Sequence, residues 1–407
     1  MLIIREIVTQ HAEESAFLWL LRDSAIYEPH YKLSDLAELD DRVEAHIDEL
    51  RVAGDAGWEI CREALALEET GEIFTAAVLA FGSGIEERIK FVLEAVGDDD
   101  ELSRGVISAL GWIPYEKIEN HAFDFMKSES PALRRIGLAA FAVHRKDPGQ
   151  FLITALSDSD AFLKARALRA VGELGRTDLF PVISVYLNEE DENCRFFAAW
   201  SAALLGNGSA VSVLRRIFES DGIHTEKAFS MALRKMNLPD AHEWVRELSS
   251  EGSNHRRLAA NGYGVIGDPV AIPWLIQMME MPGLVRVIGE SFSMITGVDI
   301  AYEDLEGEWP EGFEAGPTEE PEDEDVEMDP DEDLPWPEPV LISEWWHQNK
   351  NNFRTGTRYL CGKPITQEQC HHVLRHGYQR QRAAPAIELA ILNPARPLFE
   401  VRDPGFR

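Results

Sequence analysis

Short runs of small and apolar residues alternate along this chain with amphipathic runs, and the alternation keeps step for more than two hundred residues. The first kind reads "RGVISALGWI", "LRRIGLAAFAV", "KARALRAVGELG", "RFFAAWSAALLG" and "RRLAANGYGVIG". The second kind, "FLITALSD", "AVSVLRRIFES" and "AHEWVRELSS", places apolar residues at i, i+3, i+4 and i+7, which is one face of a helix. Ala76, Val106, Ile136, Ala167, Ala198, Ala228, Ala259 and Gly289 occupy equivalent places, and the steps between them are 30 or 31 residues. A steady period in the range of roughly 20–50 residues, with two helical patterns in each period, predicts an all-α solenoid of stacked helix pairs. The small residues let neighbouring helices approach closely. Gly175, Gly206, Gly267 and Gly297 follow the first helices and suit C′ positions that need positive φ.

The pattern is irregular at both ends of this array. Residues 1–71 read as an N-terminal cap: a short apolar start, a helix from Glu13 to Arg22, a "YEPHYK" loop that is either cap packing or a contact surface, and an atypical helix pair opened by Ser34 as N-cap. Residues 72–302 hold the regular array. Residues 303–340 break it. The stretch 303–338 has 18 acidic residues, six prolines and no Lys or Arg, a composition that reads as a disordered or loosely draped linker. Trp309, Phe313 and Trp336 are unusual in a spacer and predict that it docks at points. Residues 341–407 form a small helical region with ten Lys or Arg against five Asp or Glu, onto which the acidic linker has the charge to fold back.

Charge narrows the class of partner. With 39 Lys plus Arg against 72 Asp plus Glu, the formal net charge is −33. Such a surface repels nucleic acid and anionic membrane, and it attracts basic proteins and accelerates their encounter; it also serves plain solubility. The candidate partner-binding residues are therefore Glu319, Glu320, Glu322, Asp323, Glu324, Asp325, Glu327, Asp329, Asp331, Glu332 and Asp333 in the linker. Trp309 and Trp336 would act as anchors, since aromatic residues ringed by charge are the usual form of a binding hot spot. Glu189, Glu190 and Asp191 on an inter-repeat turn come next. A basic residue recurs near the start of each first helix: Arg104, Arg134, Lys164, Arg195, Lys227, Arg256 and Arg286. Pairing with an acid of the preceding turn (Asp100, Glu129, Asp160, Glu190 or Glu251) explains this column better than phosphate binding.

Catalytic chemistry finds little to stand on. The patterns G-x-x-x-x-G-K-[ST], G-x-S-x-G and H-E-x-x-H are missing, the G-x-G-x-x-G spacing of Gly262, Gly264 and Gly267 falls in a repeat helix where Gly262-Tyr263-Gly264 serves packing, and no catalytic residue or cofactor is expected. Cys361, Cys370, His371, His372 and His376 contain one workable ligand pair for zinc, His372 and His376 at i, i+4, but no paired CxxC. Asp323, Asp325, Glu327 and Asp329 lack the glycine and terminal glutamate of an EF-hand loop. The four cysteines follow no disulfide framework, so reduced thiols are expected. Arg5, Glu6, Glu13 and Glu14 interrupt the N-terminal apolar run, which argues against a signal peptide. No stretch has the roughly 18 apolar residues of a membrane span. A cytoplasmic protein, monomeric when free, is the expectation.

The two-helix unit of about thirty residues, with its helix-start arginine and Gly-Asp-Pro turns, resembles HEAT-type repeats, in the short form also seen in phycobilin lyases. A lyase-like activity is the best enzymatic reading this likeness admits; HEAT-like DNA glycosylases are another precedent, but they need a basic, aromatic-lined groove to which a chain of −33 is poorly suited. The wording "GFEAGPTEEPEDE", "RYLCGKPIT", "GYQRQRAAPAIELA" and "LFEV" extends the resemblance, over essentially the whole chain, to a proteobacterial family of HEAT-repeat proteins associated with type VI secretion effector loci. That resemblance implies an immunity protein that neutralises a neighbouring basic toxin, a nuclease in the leading form, or alternatively an adaptor that loads an effector for export.

Overall fold

The anchors of the thirty-residue period all fall on every second helix and all are buried. In the computed structural model, which describes residues 3–250, 252–311, 313, 316 and 329–404, the chain divides into two compact units. The first comprises 1–207, 378–380 and 393–407, and the second 208–377 and 381–392.

The first unit begins with α1 (Arg5–Ala25), α2 (Leu33–Ala53) and α3 (Asp55–Ala64). Repeats follow as α4 (Thr70–Ser83) with α5 (Glu86–Val96), α6 (Asp100–Trp112) with α7 (Tyr115–Met126), and α8 (Pro131–Val143) with α9 (Gln150–Leu156). Next come α10 (Ala161–Glu173) with the short α11 (Phe180–Ile183), and α12 (Glu192–Leu204). Pro181 at the start of α11 lacks a backbone N–H, and the second helix of that repeat continues as a 3-10 turn over Ser184–Asn188. Helices α4, α6, α8, α10 and α12 stack each on the next. Ala76, Val106, Ile136, Ala167 and Ala198 sit at 0% exposure in that stack. The close approach is real: a Cβ on Gly172 of α10 would lie 2.5 Å from Ser201 Oγ of α12.

The second unit carries α13 (Ala210–Glu219), α14 (Thr225–Lys235), α15 (Leu238–Ser249), α16 (Ser253–Ile266), α17 (Ile272–Met278) and α18 (Val285–Thr296). Here α14, α16 and α18 form the stack. After the acidic stretch come α19 (Pro339–Asn349), a two-stranded antiparallel ribbon of β1 (Tyr359–Leu360) and β2 (Lys363–Pro364), α20 (Gln367–His376) and α21 (Gln379–Leu392). The fold is an all-α, HEAT-like solenoid with one minimal ribbon. Among the described residues no helix is long and apolar enough to cross a membrane.

Local details differ from the sequence expectation in four places. Helix α1 is 21 residues long and begins at Arg5, because the charges that interrupt its apolar run lie on its exposed side. Ser34 is inside α2, and the first turn is closed by Asp35, which accepts the Lys32 N–H at 2.8 Å. The ribbon in "RYLCGKPIT" was not expected. Its turn puts Cys361 at φ 45° and Gly362 at φ 85°.

The fourth difference lies in the basic column, where Arg134 and Arg195 take main-chain carbonyls of the preceding turn rather than its carboxylates. Arg134 Nη1 donates to the carbonyls of Ser128 and Glu129 at 2.8 and 2.9 Å. Arg195 Nη1 repeats this on Glu189 and Glu190 at 2.6 and 3.0 Å. Carbonyls at and just past a helix C-terminus are orphan acceptors with partial negative charge, and a guanidinium takes two at once. The carboxylate partner of Arg134 is Asp158 at 2.9 Å, one repeat further on.

Candidate functional site

In the second unit the predicted binding residues converge on two arginines of the first-helix stack. Arg257 on α16 makes a bidentate pair with Asp331, both contacts at 2.6 Å. Arg286 on α18 donates to Asp329 Oδ2 at 2.6 Å and to the Asp331 carbonyl at 2.7 Å. Its guanidinium lies 4.8 Å from the Trp309 ring centre, with Phe313 at 5.9 Å and Trp336 at 6.0 Å. The three rings pack on one another with centroids 4.8 to 5.6 Å apart. Cation–π contact of this kind strengthens as it is desolvated, and Arg286 is only 4% exposed.

The acidic segment is held there as a strap. Gly307 N–H donates to the Trp336 carbonyl at 2.8 Å, and Glu338 N–H to the Leu305 carbonyl at 2.9 Å. The repeat anchor at that place is Gly289, where a Cβ would meet Pro337 Cγ at 2.9 Å. Thus the one glycine among the eight anchors stands where the strap crosses the helix. Burial alone raises the Asp329 carboxyl, but Arg286, the Asp331 N–H and Arg257 bring it below its ordinary value.

Among the remaining predicted residues, Glu319, Glu320, Glu322, Asp323, Glu324, Asp325 and Glu327 lie outside the described residues. Glu332 and Asp333 are exposed, and Trp309 is 47% exposed despite its ring contacts. Glu189 and Glu190 lend their carbonyls to Arg195, and Asp191 caps α12 by accepting the Cys194 N–H at 2.7 Å. The expected docking by Trp309, Phe313 and Trp336 takes place on the repeat helices, through Arg286. The role of Arg257 was not read from the sequence; Asp329-Pro330-Asp331, with the Asp331 N–H turned back on Asp329 at 3.0 Å, is the local signal that fits it.

The residues weighed for zinc separate by burial. Cys370 is fully buried with Leu360, Val373 and Ala384, and Cys361 packs against that cluster. His371, His372 and His376 are exposed. Burial pushes the Cys361 thiol up to about 12 and the Cys370 thiol up to about 11.

In the first unit the C-terminal segment lies against α1, the end of α8 and α10. Arg145, at φ 53° just past α8, donates from Nε to the Leu398 carbonyl at 2.6 Å and pairs with Glu400 at 2.9 Å. The Leu398 N–H donates to the Glu173 carbonyl at 2.8 Å. Arg22 Nη2 donates to the Arg402 carbonyl at 2.7 Å, while its Nε is held by buried Asp40 at 2.8 Å. Beneath this segment a cavity of about 230 Å³ is lined by Trp19, Trp112, Arg166, Arg169, Glu173 and Glu400, among others. Arg166 and Arg169 are both committed to Glu173, at 2.9 and 2.7 Å. Backbone hydrogen bonds and an arginine–carboxylate pair thus hold residues 398–402 of the chain against these helices.

Residues 149–234, from α9 into α14, match the HEAT repeats family. No curated protein matches the chain. The match and the stacked helix pairs around it agree that this is a HEAT-like repeat protein.

Proposed function

We propose that this protein is a binding scaffold for a basic protein partner, and that it acts as an immunity protein: it covers the cationic substrate-binding surface of a toxin, a nuclease in the leading case. HEAT-like stacks serve chiefly to present extended surfaces to other proteins. The observation that carries the reading is how the charges are disposed. Arg22, Arg134, Arg145, Arg166, Arg234, Arg257 and Arg286 are spent on partners inside the fold. Runs such as Asp98-Asp99-Asp100-Glu101 face solvent. A formal charge of −33 is therefore expressed outward, and complementary potentials steer encounter and exclude a polyanionic substrate. Exposed Glu332, Asp333 and Glu190 belong to this surface, as do Glu319 to Glu327 by composition.

Affinity capture of the tagged full chain at about 50 and 300 mM salt, with mass spectrometry, tests it. A single basic protein retained at low salt and weakened by added salt is the expected result. Its enzymatic activity should fall stoichiometrically as the scaffold is added. A captured partner that keeps full activity but requires this chain for export would replace immunity with the adaptor role. A neutral or acidic partner, or capture indifferent to salt, would overturn the electrostatic basis.

A further inference from the structure

The first unit contains a second cavity, of about 270 Å³, between α1, α3 and α4. Its wall carries apolar Ala12, Ile60, Cys61 and Leu67 together with polar Thr9, Thr75, Glu13 and Glu72. Arg5 and Glu63, themselves an exposed ion pair at 2.5 Å, also line it. A cavity of about 150 Å³ already admits a ligand the size of benzene.

One of its lining residues has an atom out of balance just behind the wall. Glu72 Oε2 is buried and has no hydrogen-bond partner among the described residues. The neighbouring hydroxyls do not serve it: Thr75 Oγ1 bonds to the Gly71 carbonyl and to Ser15 Oγ, each at 3.1 Å. Burial, then the negative charges of Glu69 and Glu13, raise the carboxyl above its ordinary value, against the pull of its own backbone N–H. A buried acceptor left unmade costs roughly 1–3 kcal/mol, and more when charged. The missing group is a cationic donor, and the apolar wall beside it fits an alkyl stem. Cys61 offers no competing chemistry, since burial pushes its thiol up to about 12.

We infer that this cavity is an anchor site for a primary alkylammonium, specifically a lysine side chain of the basic partner. The stem would lie on Ile60, Cys61 and Leu67, and the ammonium would reach Glu72 with Glu13 beside it. Long cationic side chains bury their stems and keep their heads on polar partners in this manner. An anchor so enclosed is the usual site of concentrated binding energy. The identity of the ammonium's source rests on the basic-partner reading; the chemistry of the cavity does not.

The test titrates n-butylammonium into the full chain by calorimetry, with n-butanol as the uncharged control, and repeats both with Glu72→Gln. Because the amide removes an orphaned buried charge, E72Q should fold with an unchanged or raised Tm. Saturable butylammonium binding, at least tenfold tighter than n-butanol and weakened at least tenfold by E72Q, is expected. Capture of the basic partner by E72Q should drop in parallel. No saturable binding, or equal binding of the alcohol, overturns the site; if E72Q then still captures a basic protein, the broader reading survives without it. Butylammonium binding with undiminished partner capture by E72Q would overturn the lysine anchor and leave a site for free amines.

Discussion

Glu173 shows how single residues set the acid limits of this fold. It is 3% exposed and holds two arginines. Burial pushes its carboxyl up, yet Arg166, Arg169 and Arg145 outweigh burial and leave it at about 2, against an ordinary 4.5. A carboxyl depressed by folding contributes stability that is complete above the unfolded value and is lost as pH falls through the folded one. The window therefore runs from about 4.5 down to about 2, and its depth is about 3 kcal/mol at about 1.4 kcal/mol per pH unit. Glu173→Gln should lose roughly 3–5 kcal/mol at neutral pH, since it leaves the largely buried Arg166 without its carboxylate and also releases half-exposed Arg169. It should also flatten the slope of Tm against pH below 4.5. A slope unchanged by E173Q would place the acid sensitivity elsewhere. His46 opens an earlier window. Its Nδ1 lies 3.0 Å from His11 Nδ1, a spacing with room for one shared proton. Burial first, then His11, lower its pKa from 6.5. The unfolded chain then binds the proton more readily, so stability declines as pH falls below 6.5, and His46→Asn should remove that first step of the Tm profile.

At the scale of elements, the turn glycines separate two costs that a sequence pattern merges. Gly84, which ends α4 at φ 67°, has nothing within 4 Å of where a Cβ would stand. Gly267 ends α16 at φ 74°, and a Cβ there would lie 2.3 Å from the Tyr359 carbonyl oxygen. Tyr359 N–H donates to the Gly267 carbonyl at 2.8 Å, so β1 is fastened to that helix end and cannot withdraw cheaply. Gly84→Ala should cost about 1 kcal/mol, the conformational penalty alone. Gly267→Ala should cost several times as much, read as the difference between their thermal or urea midpoints; equal costs would mean that the ribbon yields freely. The period identified the Gly267 helix end as a C′ turn and did not single out Gly84. It was silent about the ribbon, because β1 and β2 are two residues each and their place depends on a backbone contact made from almost a hundred residues away in sequence. The same limit applies to the basic column. Spacing located Arg134 and Arg195, but their acceptors are main-chain carbonyls, which leave no mark in the sequence. The strap is a middle case: Trp309 and Trp336 announced that the acidic segment docks, while Arg286 as its socket required the fold.

For the whole molecule, the charge read from composition has a consequence that burial sharpens. Pairs such as Arg22–Asp40 and Arg234–Glu388, with side chains no more than 7% exposed, are shielded from solvent ions. Screening therefore acts mainly on exposed charge, and that is overwhelmingly negative. The Debye length shrinks from about 30 Å at 0.01 M salt to about 8 Å at 0.15 M, which removes most repulsion between acids on neighbouring turns while leaving buried pairs nearly intact. Exposed pairs such as Lys90–Glu94 at 3.5 Å weaken too, but each is worth about 1 kcal/mol at most. The Tm of the free chain should accordingly rise between about 10 and 150 mM NaCl, whereas its complex with a basic partner should weaken over the same range. The opposite signs are the useful feature, because a nonspecific effect of salt on folding would move both together. A free-chain Tm that fell with salt would show that surface ion pairs outweigh the repulsion of a −33 chain, and the argument for a basic partner would then lose its physical drive.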